Sequence, residues 1–292
     1  MRLVAQMVDL DAVVSAVAAS KKYRALCEDT IRRVAEHELA ALPGLAPSLH
    51  SGQAPGSSPK GGSVKAAIKA TRRRLHQVYG AFGQGFDGEA IYRRLEAAYQ
   101  SGSAAEIQTT CRQVLELHQS TRERLPAIDR FYPAIWAVTG KPHTILDLGC
   151  GLNPLALPWM GLEEGARIIA LDVDRERIDW LNRYLALAGR EPLARCQDVL
   201  AHPPGDAADV ALLLKMGPTL ERQDPGSTGR LIDLLHSPYV VVSFAVKSLG
   251  GREKGMAENY QRQFVELAAS RGWPAVEMRF QSELVFVVLR RA

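Results

Sequence analysis

Three carboxylates close short apolar runs in this chain: Asp147 in "TILDLGCGLNPLAL", Asp172 ending "RIIALD", and Asp198 in "CQDVL". Gly149 and Gly151 follow the first of them, and two glycines at that spacing let a backbone turn sharply and approach a ligand. A pyrophosphate site wants a third glycine, so that the helix packs close to the strand. Here Asn153 and Pro154 follow instead, and proline suits a first helical turn, where its missing N–H costs little. Asp172 is placed to accept both hydroxyls of a ribose, and Asp198 to meet an adenine amino group. Asp147 can brace the loop or meet an amino group on a ligand. An acidic pocket suits a cationic sulfonium with a free amine better than a pyrophosphate, so the expected cofactor is S-adenosyl-L-methionine (SAM) rather than NAD. The glycines alone are equally those of a tight strand-to-helix turn. No nucleophile–His–Asp constellation accompanies them: His76, His118, His143, His202 and His236 are scattered.

The carboxylates need a sheet to hold them. Beyond Lys141, short β-rich runs alternate with helical segments: 144–148, 167–171, 193–197, 210–214 and 239–244. That alternation predicts a parallel sheet covered on both faces. The runs 275–280 and 283–289 are separated by Gln281 and Ser282 alone, which forces an antiparallel hairpin. The expected class is α/β, a Rossmann-like seven-stranded methyltransferase fold over 131–292. Before it, helical spacing over Asp9–Leu42, 64–79, 89–100 and 104–119 predicts an all-helical domain over 1–130. The Pro/Gly/Ser-rich stretch at about 43–63 reads as a loop or mobile linker.

The 292 residues are 47% hydrophobic and 23% charged, the balance of a globular protein, with a net charge of only +4. The basic residues are clustered: Lys21, Lys22, Arg24, Arg32 and Arg33 form one group, and Lys60, Lys65, Lys69, Arg72, Arg73 and Arg74 another. Such groups are either solvated helix faces or a phosphate-binding surface. No apolar run approaches the roughly 20 residues of a membrane span, and Asp9 and Asp11 interrupt the first apolar region, against a secretory signal. The four cysteines are far apart with no C-x-x-C pair, which predicts reduced thiols, no bound metal and a cytoplasmic protein.

Taken together, "SKKYRALCEDTIRRV", "ATRRRLHQVYGAF", "STRERLP", "ILDLGCGLNPLAL", "CQDVL", "LLLKMGPTLERQ" and "VVSFAVKSLGGREKGM" resemble the aminoglycoside-resistance 16S rRNA (guanine-1405-N7)-methyltransferases. The likeness runs over nearly the whole chain. It implies a SAM-dependent enzyme, monomeric, whose N-terminal helical domain docks on the 30S subunit.

By matching motif, the resemblance implies that Arg124 of "STRERLP" holds the SAM carboxylate, with Arg122 as the neighbouring alternative. Asp172 takes the ribose, Asp198 with Val199 the adenine, Leu214 packs on the adenine, and Tyr92 lies over the cofactor. Lys215, Glu221 and Arg252 position the target base, with Ser243 and Met256 as weaker candidates. Lys254 and the two basic groups (Lys21, Lys22, Arg24, Arg32, Arg33, Lys65, Lys69, Arg72 and Arg73) contact rRNA. Gly217 and Ala245 depart from the family pattern, where a bulkier residue and proline are expected. The residues also leave open a methyltransferase of another RNA or of a small molecule, and a non-catalytic protein that binds SAM and the ribosome.

Overall fold

The computed structural model describes residues 6–41, 45–48, 61–79, 88–246 and 255–290. The chain forms two compact units, Met1–Gln84 with Val173–Arg175, and Gly85–Asp172 with Glu176–Ala292.

In the first unit the elements are β1 (Gln6–Asp9), α1 (Leu10–Ala18), α2 (Glu28–Ala41), β2 (Leu45–Ser48) and α3 (Gly61–Tyr79). Asp9 caps α1 by accepting from the Ala12 amide, which satisfies one of the helix's orphan donors. Val13, Val14 and Val17 of α1 meet Ile31, Val34 and Leu39 of α2 and Leu75 of α3 in one core. Val13, Val14, Val17, Ile31 and Val34 recur at the helical spacing read over Asp9–Leu42. The parallel pairing of β1 with β2 adds two short strands to this helical region. Strands of four residues are too short to show alternation, and Pro47 is tolerated in a strand with a free edge. The expected loop over 43–63 therefore contains a strand at Leu45–Ser48 and the first turn of α3 from Gly61; residues 49–60 lie outside the described residues.

The second unit begins with α4 (Gly88–Gln100), α5 (Ala104–Leu115), α6 (Gln119–Arg124) and α7 (Ile128–Thr139). There follow β3 (Thr144–Leu148), α8 (Leu157–Met160), β4 (Arg167–Asp172), α9 (Arg175–Leu187), β5 (Leu193–Cys196) and β6 (Val210–Leu214). The last elements are α10 (Gly217–Gln223), α11 (Ser227–Leu234), β7 (Tyr239–Ala245), α12 (Met256–Arg271), β8 (Ala275–Arg279) and β9 (Glu283–Leu289). The sheet order is β5-β4-β3-β6-β7-β9-β8. β3 to β7 are parallel, and β9 runs antiparallel to both β7 and β8, as the two-residue gap at Gln281–Ser282 requires.

Both faces of this sheet are buried, so its strands alternate between two cores rather than between core and water. Ile145, Val210, Leu212, Val285 and Val287 face α4, α5, α7, α8 and α9. Leu146, Leu148, Leu213, Val242 and Phe286 face α10, α11 and α12. Each such side chain, fully buried, contributes about 1.5–3 kcal/mol. The helices over 88–139 thus pack on the sheet, with Leu95, Leu115, Phe131 and Ile135 fully buried in its first core. Cys111 and Cys150 are buried free thiols. Cys27 and Cys196 are not free thiols, which corrects the expectation of four reduced cysteines; spacing along the chain does not decide which thiols oxidise. Among the described residues no helix is long and apolar enough to cross a membrane, and no group of His, Cys, Asp and Glu could hold a metal.

Candidate cofactor site

The order of strands reverses beside β3, with β4 on one side and β6 on the other. Open α/β sheets bind ligands in the crevice outside the strand ends at such a point. The glycine turn leaves β3 there. Gly149 and Gly151 have φ of 60° and 52°, the left-handed region that costs other residues roughly 1–2 kcal/mol. The turn is tied to β4: the Cys150 amide donates to the Leu171 carbonyl at 2.9 Å, and the Gly151 amide to Asp172 Oδ2 at 2.8 Å. The Arg177 guanidinium lies 3.8 Å from the other oxygen of Asp172. One carboxylate thus clasps the loop while standing at the strand end where a ribose is expected.

Asp198 is buried, and its Oδ1 accepts from the Leu200 and Ala201 amides at 2.9 and 3.4 Å, fixing the turn after β5. Val199 and Leu214 are buried in the cores on opposite faces of the sheet. Tyr92, on α4, packs against the first core with the Arg183 guanidinium 4.0 Å from its ring centroid.

Beneath the loop lies a chain of buried polar groups. Arg124 is 3% exposed, whereas Arg122 is exposed. The Arg124 guanidinium donates from Nε and Nη2 to Glu283 at 3.0 and 2.8 Å, and from Nη1 to Asn153 Oδ1 at 2.7 Å. It also stands 4.5 Å from the Phe131 ring centroid. Asn153 Oδ1 accepts a second hydrogen bond from the Tyr132 hydroxyl at 2.7 Å, and its Nδ2 donates to Asp147 Oδ2 at 2.9 Å. Asp147 Oδ1 is buried and has no hydrogen-bond partner. Burial pushes the Asp147 carboxyl up to about 7, against the pull of Asn153 and Arg124.

The residues expected at the target base fall into two arrangements. Lys215 has φ 59°, and its side chain turns inward. Its ammonium donates to the Ser120 carbonyl at 3.0 Å and Glu123 at 2.7 Å, and lies 3.7 Å from Glu283. Ser243 is fully buried; its hydroxyl donates to Glu283 and accepts from the Lys215 amide. Glu221 accepts from the Gly226 and Thr228 amides at 2.6 and 2.9 Å, which caps the first turn of α11. Arg252 and Lys254 lie outside the described residues, as does the side chain of Met256. Gly217 has a local reason: a Cβ there would meet the Phe244 ring at 3.3 Å. Ala245 closes β7 opposite Glu283.

Sequence reasoning missed Glu283, Asn153, Tyr132 and His118. His118 is placed against the loop, its Cε1 3.3 Å from where a Gly151 Cβ would lie. Burial, then Arg177, pushes its imidazole down to about 4, so it is neutral in solution near pH 7. A completely buried Glu at a strand start, with an Arg and a Lys to pair, is a signal only once the hairpin is placed.

In the first unit the turn bearing Lys21, Lys22 and Arg24 sits against the C-terminal half of α3. The Tyr23 hydroxyl donates to the Arg72 carbonyl, Lys22 Nζ is 3.0 Å from His76 Nδ1, and Arg72 reaches the Ala16 carbonyl. Lys65, Lys69, Arg72 and Arg73 are exposed on the same helix. Arg32, by contrast, is paired with Asp11 at 2.8 Å and Glu28 at 3.3 Å. Arg33 reaches the Tyr79 hydroxyl.

Five parallel strands, a terminal antiparallel hairpin and acidic strand ends around a glycine turn define a class, the Rossmann-like methyltransferases. The chain matches the ribosomal RNA methyltransferase (FmrO) family over residues 19–287 and belongs to it. It is 35% identical over 281 residues to the 16S rRNA (guanine(1405)-N(7))-methyltransferase of Micromonospora rosea, covering 96% of each protein. The protein of that name from Frankia casuarinae is 37% identical over 286 residues, covering 96% of this chain and 94% of the relative. Among solved structures, the 16S rRNA methyltransferase RmtF in complex with S-adenosyl-L-homocysteine superposes with a TM-score of 0.74 at 30% identity. That match covers 97% of this chain and 98% of that one.

The loop itself gives a first test. A Cβ at Gly149 would stand 2.8 Å from Met216 Sδ, so Gly149→Ala combines a strained φ with displacement of the thioether. Gly161 shares the left-handed φ, at 57°, but has open space around it. Gly161→Ala is expected to cost only the backbone strain of roughly 1–2 kcal/mol. Gly149→Ala is expected to cost more and to weaken SAM binding by about tenfold, about 1.4 kcal/mol. Equal effects of the two variants on SAM affinity, measured by calorimetry, would exclude a close approach at Gly149.

Proposed function

We propose that the protein transfers a methyl group from SAM to N7 of guanine 1405 of 16S rRNA in the assembled 30S subunit, in the cytoplasm, and so confers aminoglycoside resistance. The observation that carries the cofactor assignment is the glycine turn clasped by Asp172 beside an orphaned buried acceptor, Asp147 Oδ1. Close backbone approach and an acidic lining fit a sulfonium amino acid. The target is supported by curated relatives that carry that name over nearly their full length.

When bound, SAM supplies an activated methyl group on a cationic sulfur. Guanine N7 has an in-plane lone pair that is unprotonated at neutral pH, so its attack needs no general base. The chain's task is to align nucleophile and methyl and to surround a base that becomes cationic. Asp172 and Asp198 orient the adenosine, and Arg124 supports the amino-acid end. The neutral His118 adds no positive charge beside a cationic centre. Lys215, through Glu123 and Ser120, anchors α6 to the end of β6, where the base must arrive. Glu221, on α10, holds the first turn of α11 through the Gly226 and Thr228 amides.

N7 lies on the major-groove edge, which side chains cannot reach in an A-form helix. The nucleotide must be drawn out of its stack, at a cost of a few kcal/mol. The Lys21–Arg24 turn with α3 offers the phosphate contacts that offset it. Charge reversal at Lys69 and Arg73 is expected to abolish 30S binding without changing SAM affinity. A single removed contact should lower the salt slope of log K by about 0.7–0.9. Borohydride/aniline cleavage with primer extension on rRNA from expressing cells tests the whole reading. Full gentamicin sensitivity with no new methylated guanine would refute it.

A further inference from the structure

Asn153 stands one residue before Pro154, which takes the place of a dinucleotide site's third glycine, and the structure gives the Asn153 side chain a defined task. It is 3% exposed and stands between a permanent donor and an acid. Arg124 can only donate, so the Asn153 oxygen must face it, and that oxygen also accepts from Tyr132. Rotating the amide by half a turn would set N–H against N–H. The Asn153 nitrogen is therefore aimed at Asp147 Oδ2, at 2.9 Å. One oxygen of Asp147 is thereby held, and the other, Oδ1, is left buried without a partner. An orphaned buried acceptor costs about 1–3 kcal/mol, and it persists here because two groups, Arg124 on α6 and Tyr132 on α7, fix its neighbour Asn153. The cover above Gly149 is the Met216 side chain, an unbranched thioether that changes rotamer readily.

We propose that Asn153 is a positioning residue, which relays the fixed orientation of Arg124 and Tyr132 to Asp147 and so presents Asp147 Oδ1 to the ammonium group of the bound cofactor. The inference rests on the SAM reading given above. It assigns the recognition of the amino-acid end to a relay, Arg124 to Asn153 to Asp147, in addition to any contact Arg124 itself makes. It also explains the residue at this place in the loop: glycine would leave Asp147 free to rotate, and an acid would repel it.

The test separates the ammonium from the rest of the cofactor. Binding of SAM and of methylthioadenosine, which lacks the amino-acid end, is measured by calorimetry on the full chain. Asn153→Leu and the smaller Asn153→Ala are compared with wild type, so that one overpacked variant does not decide the matter. Both are expected to weaken SAM by at least tenfold while methylthioadenosine changes by less than about threefold. Tyr132→Phe, which leaves Arg124 facing the Asn153 oxygen, is expected to keep the wild-type ratio of the two affinities. Equal loss of both ligands in the Asn153 variants would show plain loop packing and overturn the relay, as would no loss of either. Failure of the wild-type chain to bind SAM at all would instead overturn the cofactor reading.

Discussion

Glu283→Ala is expected to destabilise the protein by about 3–5 kcal/mol, the cost of leaving a buried charge without its partner. The carboxylate is 0% exposed and serves Arg124, Lys215 and Ser243 together. Burial alone would push its carboxyl up, but the Arg124 and Lys215 charges hold it below the usual range. Its removal strands the Arg124 guanidinium, also buried, and loosens α6 from β7 and β9. The melting temperature should fall by about 10 °C, at roughly 2–4 °C per kcal/mol for a domain of this size. The double variant Glu283→Ala/Arg124→Met is expected to recover part of the loss, because it removes the stranded charge as well. A single-variant effect below about 1 kcal/mol, or a double variant no better than the single, would show that water reaches Arg124.

The second large effect concerns pH. Burial, and to a smaller extent Asp172, pushes Asp147 up to about 7, while Asn153 and Arg124 draw it down. Tyr132 and the Cys150 thiol are further titratable groups that feel its charge. An acid that binds its proton more tightly when folded than when unfolded contributes stability at low pH, and that contribution is lost as pH rises. The window here runs from about 4, the ordinary carboxyl value, to about 7. Asp147→Asn cannot ionise, and its oxygen can still accept from Asn153. The variant is therefore expected to be more stable than wild type at pH 8 by roughly 1–3 kcal/mol, the part of a three-unit shift that survives relaxation. The two should converge near pH 4. The same variant should bind SAM at least tenfold more weakly, because the acceptor for a cation has lost its charge. Denaturation curves between pH 4 and 8, with calorimetry at pH 8, check both. A variant less stable than wild type at pH 8 would mean that Asp147 is ionised and satisfied.

The sheet was legible because burial on both faces writes itself as apolar runs. The stretches at 144–148, 210–214 and 283–289 match strands β3, β6 and β9 residue for residue. The hairpin followed from a two-residue gap that no crossover can span. The paired strands β1 and β2 were illegible for the opposite reason: four residues show no period. In the candidate site, the glycine turn and Asp172 are joined through the Gly151 amide, since a loop and the adjacent strand end are local to the fold. Charged loop residues were harder. Glu221 carries the same side chain whether it meets a base or caps α11, and Lys215 the same whether it reaches outward or folds in toward Glu123. Sequence gives the charge of such residues but not the direction in which the side chain leaves the backbone. Arg124 against Arg122 shows the same limit, since two residues of helix separate a buried guanidinium from an exposed one.

The pairing of Arg124 with Glu283 also has a consequence for how the enzyme is made. The two residues are 159 apart in sequence. At about 5–20 residues per second, a ribosome takes roughly 8–30 s to travel between them. By its end the nascent chain carries the arginine, the glycine turn and all five parallel strands, still without the carboxylate that pairs with the arginine. The methyl-donor pocket is therefore completed late in translation, and a chain still growing on one ribosome is poorly equipped to modify another.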